Sequence, residues 1–211
     1  MSVEATTSRA YEQLRAEERG AEAEPRATPA DAFRAAVRMF IDGPRLEMGP
    51  LAAELGISKA TLYRWTGSRE QLLSEVLTYL GEQSVTIGLE RGEGREGPER
   101  IEAFFRGFVG AIVNFEPLRR FVRSETPLAF RLLTTRGGLV QSTVARRIAE
   151  LLESERERGT LALRASAADL GYAMTRIIEG FIYNDAMAEI DTDIDTAVEI
   201  VCLLVDRPDH S

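Results

Sequence analysis

Apolar residues recur at intervals of three and four along most of the chain, which is the spacing of one buried face of a helix. The first predicted helix begins after Thr28, a suitable N-cap, with Pro29 at its first position. The run Asp42-Gly43-Pro44 ends it. Its buried face is predicted to contain Ala32, Phe33, Ala36, Val37 and Phe40.

Two short helices and one longer helix follow. The first spans roughly 51–55 and ends at Gly56. The second has Ser58 as its N-cap and runs through Trp65. Gly67-Ser68 then separates it from a longer helix. The apolar stripe of that longer helix consists of Leu72, Leu73, Val76, Leu77 and Leu80.

The pattern stays helical to the C-terminus, and no segment shows the alternation that is typical of a strand. The glycine-rich stretch Gly88 to Pro98 is the best candidate for an internal boundary. The predicted fold class is therefore all-α. The remaining helices are predicted at roughly 98–113, 117–123, 126–134, 138–158, 165–189 and 192–205.

The two short helices have the form of a helix-turn-helix, in which a support helix and a glycine turn position a second helix for the major groove of DNA. Four apolar residues would lock the pair together: Ala52, Leu55, Ile57 and Leu62. Five residues are left on the outer face, and their amine, hydroxyl and phenol groups suit base edges and phosphates: Lys59, Ala60, Thr61, Tyr63 and Arg64.

The charge of the chain argues partly against DNA binding, because its formal net charge is −8 over 211 residues. The distribution of charge along the chain weakens this argument, because the segment from Ser58 to Arg69 contains three basic residues and no acid. Residues 1–27 are charged and poor in apolar side chains, so we expect a disordered tail, with a basic arm in the minor groove as the alternative.

Few residues are suited to enzyme chemistry. The single histidine is His210 and the single cysteine is Cys202, which leaves no histidine-assisted nucleophile, no zinc-type ligand cluster and no disulfide. We expect no catalytic residues, no metal and no cofactor, with a carboxylate-pair hydrolase as the remaining enzyme alternative. Without an apolar N-terminal segment or a membrane-length apolar run, the sequence predicts a cytoplasmic protein.

The segment from Leu51 to Leu73, LAAELGISKATLYRWTGSREQLL, resembles the DNA-binding signature of the TetR family of transcriptional regulators. The resemblance implies that Ser58 begins the recognition helix and that Lys59, Ala60 and Thr61 face the major groove. It further implies backbone contacts with DNA from Tyr63, Trp65 and Arg69, whereas Arg64 is a candidate from its place on the outer face alone.

Two positions depart from the family pattern. Thr66 occupies the place of a buried phenylalanine, so Trp65 either contacts DNA or turns inward to fill the space. Gly49-Pro50 replaces the threonine-containing start of the support helix, which removes one expected phosphate contact. Lys59 and Arg64 could also be merely solvated, and Tyr63 could belong to the core.

The resemblance divides the chain into a helix-turn-helix domain at 28–75 and a ligand-binding and dimerisation domain at 76–206. In the second domain, phenylalanines at helical spacing supply either core or pocket. On the helix around 172–190, Leu170, Met174, Ile177 and Phe181 form one face, and Tyr172 lies on the other with a set of polar residues. The candidate ligand-binding residues are Phe104, Phe108, Phe121, Phe130, Arg176, Glu179 and Tyr183.

The segments TPADAFRAAVRMF, LYRWTGSREQLL and RIIEGFIYND are similar to the QsdR-like branch of the TetR family. The resemblance to the TetR family implies a homodimer, joined through the last two helices, that binds a palindromic double-stranded DNA operator as a repressor, with an activator as the alternative. A small-molecule effector of lactone type, or a similar amphipathic compound, would release it. The alternative outside enzymology is a ligand-binding dimer that has lost DNA binding.

Overall fold

The structure, a computed structural model, describes residues 27–188, 190 and 192–208, apart from the side chains of 184–187. Residues 1–26 of the predicted disordered tail lie outside this part. The described chain is built from helices, as the all-α prediction requires. The helices are α1 (Pro29–Asp42), α2 (Met48–Glu54), α3 (Lys59–Thr66), α4 (Arg69–Arg91), α5 (Gly97–Val113), α6 (Glu116–Ser124), α7 (Thr126–Thr134), α8 (Leu139–Glu157), α9 (Ala167–Ala188) and α10 (Ile194–Cys202).

The start of α1 follows from its sequence. The Thr28 side chain accepts a hydrogen bond from the Asp31 amide (3.1 Å), and the Asp31 carboxylate accepts one from the Thr28 amide (2.9 Å). This capping box satisfies two amides that would otherwise lack partners at the helix end. The core face of α1 is formed by Ala32, Ala35, Ala36 and Phe40, whereas Phe33 and Val37 are half-buried.

Helix α2 begins at Met48, three residues before the start that its apolar pattern predicts. Pro50 therefore lies in the first turn of the helix, where a residue without an amide proton costs no intrahelical hydrogen bond. The Gly49-Pro50 pair is thus compatible with the support helix and forms part of it.

Helix α4 joins the two halves of the molecule. Its 23 residues form one continuous helix that begins directly after the α2–α3 pair and ends among the C-terminal helices. The predicted domain boundary between residues 75 and 76 falls inside this helix. Helix α4 therefore belongs to both halves of the molecule.

The glycine-rich stretch at 88–98 is only partly an internal boundary, because α4 continues through Gly88 to Arg91. Gly88 lies where α4 crosses α5, and a Cβ atom added there would lie 2.8 Å from the Phe104 ring and carbonyl oxygen. Gly107 faces it, and its own added Cβ would lie 3.0 Å from the Gly88 Cα. Gly88 therefore permits close helix packing, and the turn comes later, at 92–96.

A short strand pair corrects the expectation of no strands. The last helix ends at Cys202 and not near 205, and β2 (Val205–Asp206) pairs antiparallel with β1 (Ala162–Leu163). Strands of two residues are too short to show a period of two in the sequence. Their pairing joins segments that are more than 40 residues apart, which only the tertiary structure brings together.

A buried carboxylate fixes the turn between α4 and α5 to the end of α8. The Glu155 side chain is fully buried, and its oxygens accept hydrogen bonds from the Gly97 amide (2.8 Å), Arg100 (2.8 Å) and the Thr160 hydroxyl (2.9 Å). Arg158 adds a further ion pair from the surface. A buried charge with these partners is satisfied, so removing it would leave a cluster of buried donors without an acceptor.

Candidate nucleic-acid interface and ligand cavity

The turn between α2 and α3 is built by a glycine. Gly56 has a φ of 64°, the left-handed region that side-chain-bearing residues disfavour. The Gly56 amide donates to the Ala53 carbonyl, and the Ile57 amide donates to the Ala52 carbonyl. These two bonds form a Schellman motif, which ends α2 and turns the chain directly into α3.

Helix α3 is anchored at its start and along one face. Ser58 accepts a hydrogen bond from the Thr61 amide at 3.1 Å, and the two hydroxyls lie 3.0 Å apart. Leu62 is fully buried against α1 and α2, together with Leu51 and Ala52. The short helix is therefore held rigidly enough to present its other face in one orientation.

The outer face of α3 holds most of the residues that the sequence nominates for DNA contact. Ser58, Lys59, Ala60, Tyr63 and Arg64 are exposed. The side chains of Lys59, Tyr63 and Arg64 make no hydrogen bond or ion pair with other described side chains. Thr61 is half-buried, with its hydroxyl turned towards the N-cap.

Thr66 and Trp65 both pack towards the core at the end of α3. Thr66 is buried and donates a hydrogen bond to the Leu62 carbonyl at 3.1 Å, so its hydroxyl is satisfied within the helix. Trp65 is half-buried and packs against the core with part of its ring. Trp65 thus packs inward and still keeps an exposed portion.

Arg69 is occupied by partners within the protein. Its Nε donates to the Leu46 carbonyl at 2.6 Å, and its two Nη atoms donate to the Glu125 carboxylate at 2.9 and 2.6 Å. Burial raises the pKa of Glu125, but the hydrogen bonds and charges of Arg69 and Arg45 outweigh it and hold the pKa below its ordinary value. All three guanidinium nitrogens of Arg69 face inward, so we leave Arg69 out of the DNA-contacting set.

The same region joins the head formed by α1–α3 to the C-terminal helices. Arg120 of α6 donates to the carbonyls of Phe40 and Ile41 at the end of α1, both at 3.0 Å. The Phe40 and Phe121 rings meet edge to face at 5.7 Å. Together with the Arg69–Glu125 pair, these contacts fix the head to the α6–α7 corner.

A cavity of about 190 Å³ lies in the C-terminal half, lined by α4, α5, α8 and α9, by the start of α6 and by Leu133 of α7. Its walls are mainly apolar, and α4 forms one whole side. The α4 wall consists of Leu77, Leu80, Gly81, Gln83, Ser84 and Ile87. A molecule in this cavity would therefore touch the helix that carries the head.

Glu179 is an acidic residue that lines the cavity. Burial raises its pKa to about 7, and the nearby Arg176 offsets only part of that effect. Arg176 donates to the Glu179 carboxylate at 2.6 Å and to the Thr134 carbonyl at 2.9 Å, from outside the cavity. Burial, and then the Glu179 charge, also raise the pKa of the lining Tyr183.

Three of the seven candidate ligand residues line the cavity: Phe108, Glu179 and Tyr183. The structure places the other four elsewhere. Phe104 is core at the α4–α5 crossing, Phe121 packs on α1, Phe130 is half-buried, and Arg176 lies outside the cavity, hydrogen-bonded to Glu179. Helical spacing cannot tell a pocket wall from core, because both are apolar.

The cavity also contains polar residues that the sequence analysis missed. Gln141 and Thr175 are both 3% exposed and line the same cavity as Glu179. A signal for Gln141 was present, since it lies in phase with the buried Val144 and Ile148 of α8. A polar residue within a buried stripe indicates either a satisfied core group or a ligand site.

The described part of the chain offers neither a metal site nor a membrane-spanning helix. Its histidine, cysteine, aspartate and glutamate side chains form no group that could hold a metal ion. None of the helices within these residues has the length and apolarity needed to cross a membrane.

Comparison with known proteins fits this architecture. Residues 96–206 match the family model described as the tetracyclin repressor-like, C-terminal domain. None of the curated protein sequences compared with the chain matches it. A TetR-family regulator from Pectobacterium atrosepticum has the same fold, at 16% identity over 93% of both chains and a TM-score of 0.60.

Two other solved structures carry more specific descriptions. The fatty acid degradation regulator FadR from Bacillus halodurans shares the fold at 16% identity, over 87% of this chain and 95% of its own, with a TM-score of 0.54. The transcriptional repressor QsdR of R. erythropolis, from the TetR family, is 30% identical over 87% of this chain and 97% of its own, with a TM-score of 0.75. The chain belongs to the TetR family of transcriptional regulators.

Proposed function

We propose that this regulator is a homodimeric repressor that reads a palindromic operator through α3 and releases it when a small molecule fills the α4–α9 cavity. The observation that carries the proposal is the outer face of α3, where Lys59, Tyr63 and Arg64 stand exposed on a rigid helix-turn-helix, unpaired with any described side chain. Ser58, Ala60, Thr61 and the exposed part of Trp65 complete the proposed contact surface.

Local charge is sufficient for this role despite the net charge of −8. Only charges within about 8–10 Å act strongly on a phosphate at physiological salt. The α3 segment contains no acid from Ser58 to Arg69. An acidic body with a basic recognition helix also binds non-specific DNA weakly, which favours selectivity.

A dimer is supported by apolar residues that the single chain leaves exposed. On α10, Ala197, Val198 and Val201 face the core, whereas Ile200 and the C-cap residue Leu203 are exposed, with Leu203 at 73%. Ile200 and Leu203 are three residues apart and therefore lie on one face at the end of α10. Covering this face with a second copy would bury it and set two α3 helices about 34–36 Å apart, or a multiple of that spacing.

The proposed regulation depends on α4. One side of the cavity is α4, and the same helix begins at Arg69, which holds the head to the α6–α7 corner. A ligand that fits the cavity in only one position of α4 favours the state with that position, and therefore one spacing of the two heads. The size of the shift between the two states is set by the difference in the ligand's affinity for them. The likeness to QsdR, described as a transcriptional repressor, supports repression, and the resemblance to its branch supports a lactone-like effector.

Fluorescence anisotropy with the DNA that flanks the gene, at several salt concentrations, tests the proposal. We expect selective binding of two protomers per site. Replacing Lys59 and Arg64 by alanine and Tyr63 by phenylalanine together should weaken binding by about 100-fold or more. The salt slope should fall by about 1 for each phosphate that the variant no longer neutralises.

Arg95→Ala is the matched control, because Arg95 is an exposed arginine just beyond the far end of α4. We expect it to leave the affinity within a factor of about two, as for a charge beyond the Debye length. If the triple variant bound its operator as tightly as the Arg95→Ala protein, α3 would not be the recognition helix. If neither the wild-type protein nor the Arg95→Ala protein bound any DNA selectively, the chain would be a ligand-binding dimer without a DNA-reading head.

A further inference from the structure

Gly49 is a glycine that its own backbone conformation does not require. It lies half-buried in the first turn of α2, and it is not among the glycines with a positive φ. Within a helix glycine is less favourable than alanine, because it loses more conformational freedom on folding. The reason for a glycine at this position therefore lies in its surroundings.

The Lys59 side chain occupies the space beside Gly49. A Cβ atom added at Gly49 would lie 3.2 Å from Lys59 Cε and 3.3 Å from Lys59 Nζ. Apart from its chain neighbours and its own helix backbone, the described residues place no other atom within 4 Å of that Cβ. The lysine thus folds back from the start of α3 across the first turn of α2, and Gly49 leaves room for its amine.

The Lys59 amine has no anionic partner in the part of the chain that the structure describes. Of the two acids nearest in sequence on α2, Glu54 is paired with Arg38 at 3.1 Å, and Glu47 forms no ion pair with the lysine. Lys59 is also exposed to solvent. Its charge is therefore available to an anion outside the protein.

The position of the amine indicates which part of DNA it meets. In a helix-turn-helix bound to DNA, the recognition helix enters the major groove, whereas the support helix crosses the phosphate backbone. An amine that lies on the first turn of α2 is beside the phosphates and away from the base edges on the groove floor. An ammonium group is a compact point charge, which suits a phosphate without a demanding geometry.

We propose that Lys59 neutralises an operator phosphate and does not read a base, and that Gly49 is the residue that positions its amine. This role differs from the one that the sequence resemblance implies, in which Lys59 faces the groove, and it leaves Ala60 and Arg64 for the base edges. The inference rests on the proposed function of α3 as the recognition helix, and it states what one residue of that helix contacts.

Fluorescence anisotropy of the full chain tests the role of Lys59. The probes are a labelled duplex from the DNA that flanks the gene and a set of duplexes in which each base pair of the bound site is replaced in turn. One phosphate contact gives a salt slope of about 0.9, which, relative to about 1 M salt, is about fivefold in affinity at about 0.15 M and about fifteenfold at about 0.05 M. We expect Lys59→Ala to weaken binding by about these factors, equally for every duplex, and to lower the salt slope by about 1.

A base contact would give a different result, because its loss relaxes discrimination at one base pair by about tenfold or more. If Lys59→Ala abolished the preference at one base pair of the site, Lys59 would read that base and the proposal would be wrong. An affinity and a salt slope that Lys59→Ala leaves unchanged would overturn it equally.

Gly49→Ala tests the positioning role without weakening the helix, because alanine is the better helix former. The added Cβ displaces the amine, so we expect operator affinity to fall by about threefold at about 0.15 M salt, with a smaller salt slope. In a Lys59→Ala background the same change should alter the affinity by less than about twofold. In an Arg64→Ala background, the matched control, it should keep its full effect.

Three results would overturn the positioning role: no loss of affinity for Gly49→Ala, an equal loss with and without Lys59, or a loss without a change in salt slope. The last two would mean that Gly49 acts on α2 itself. Urea unfolding of each variant verifies that the compared proteins are equally folded.

The two levels of inference fail separately. A wild-type protein that binds no DNA selectively removes the proposed function and this inference with it. Selective binding that the triple variant of Lys59, Tyr63 and Arg64 weakens, together with base discrimination that Lys59→Ala relaxes, retains α3 as the recognition helix and removes only the role assigned to Lys59.

Discussion

Replacing Glu125 by alanine removes the carboxylate on which three arginine hydrogen bonds converge, two from Arg69 and one from Arg45. The Glu125 side chain makes no cap hydrogen bond to α7, so the change leaves that helix start unaltered. The perturbation is therefore confined to the attachment between the head and the α6–α7 corner.

The structure sets the expected magnitude. The Glu125 and Arg69 side chains are 12% and 21% exposed. Breaking a fully buried ion pair costs about 3–5 kcal/mol, and an exposed pair is worth about 0–1 kcal/mol. For this mostly buried pair we expect the free energy of unfolding to fall by about 2–3 kcal/mol at pH 7. Arg45 adds little, because its side chain is 54% exposed.

The pH dependence supplies a second readout. Because the pKa of Glu125 is lower in the folded state than its ordinary value of 4.5, the carboxylate stabilises the fold above that value. This contribution is lost as the pH falls through the folded-state pKa. The difference between wild type and Glu125→Ala should therefore be full at pH 7 and should shrink below pH 4.5.

Urea unfolding at 25 °C, at one protomer concentration and several pH values, measures both effects. Glu150→Ala is the control, since Glu150 is paired with two arginines but its side chain is 46% exposed. We expect that control to cost less than about 1 kcal/mol. A loss for Glu125→Ala no larger than for Glu150→Ala, or one independent of pH, would refute the reasoning.

Three further changes have definite expected outcomes. Glu155→Ala should lower the free energy of unfolding by about 3–5 kcal/mol in urea titrations, because it leaves buried donors without their acceptor; a cost below about 1 kcal/mol would contradict the buried network. Glu179→Gln should stabilise the protein by up to about 3 kcal/mol at pH 8, because folding raises the pKa of Glu179 from 4.5 to about 7 and the ionised carboxylate therefore destabilises the fold. The gain should disappear near pH 4.5, where the carboxyl is protonated in the folded protein. Equal stability of both proteins at every pH would count against this reasoning. Replacing Ile200 and Leu203 together by glutamate should shift the protein from dimer to monomer in analytical ultracentrifugation, and an unchanged dimer would place the interface on another face.

The sequence by itself determined the local architecture. Helix positions followed from apolar spacing, and caps such as Ser58 and turns such as Gly56 act through their own neighbours, so a linear pattern contains them. The family signature from Leu51 to Leu73 is likewise local, and it led to the correct family. The exposed face of α3 followed from the same periodicity.

Tertiary structure decided what depends on partners far along the chain. The sequence predicts a phosphate contact for Arg69, but in the fold its guanidinium pairs with Glu125, 56 positions further along the chain. In the sequence Gly88 suggests a helix end, but in the fold it lets α5 pack closely against α4. Phe104 and Phe108 are indistinguishable by their spacing, although Phe104 is core and Phe108 lines the cavity. Burial and ion pairing are properties of three-dimensional neighbours, whereas caps and periodicity belong to the chain itself, and this is why the cavity and the head attachment appeared only in the fold.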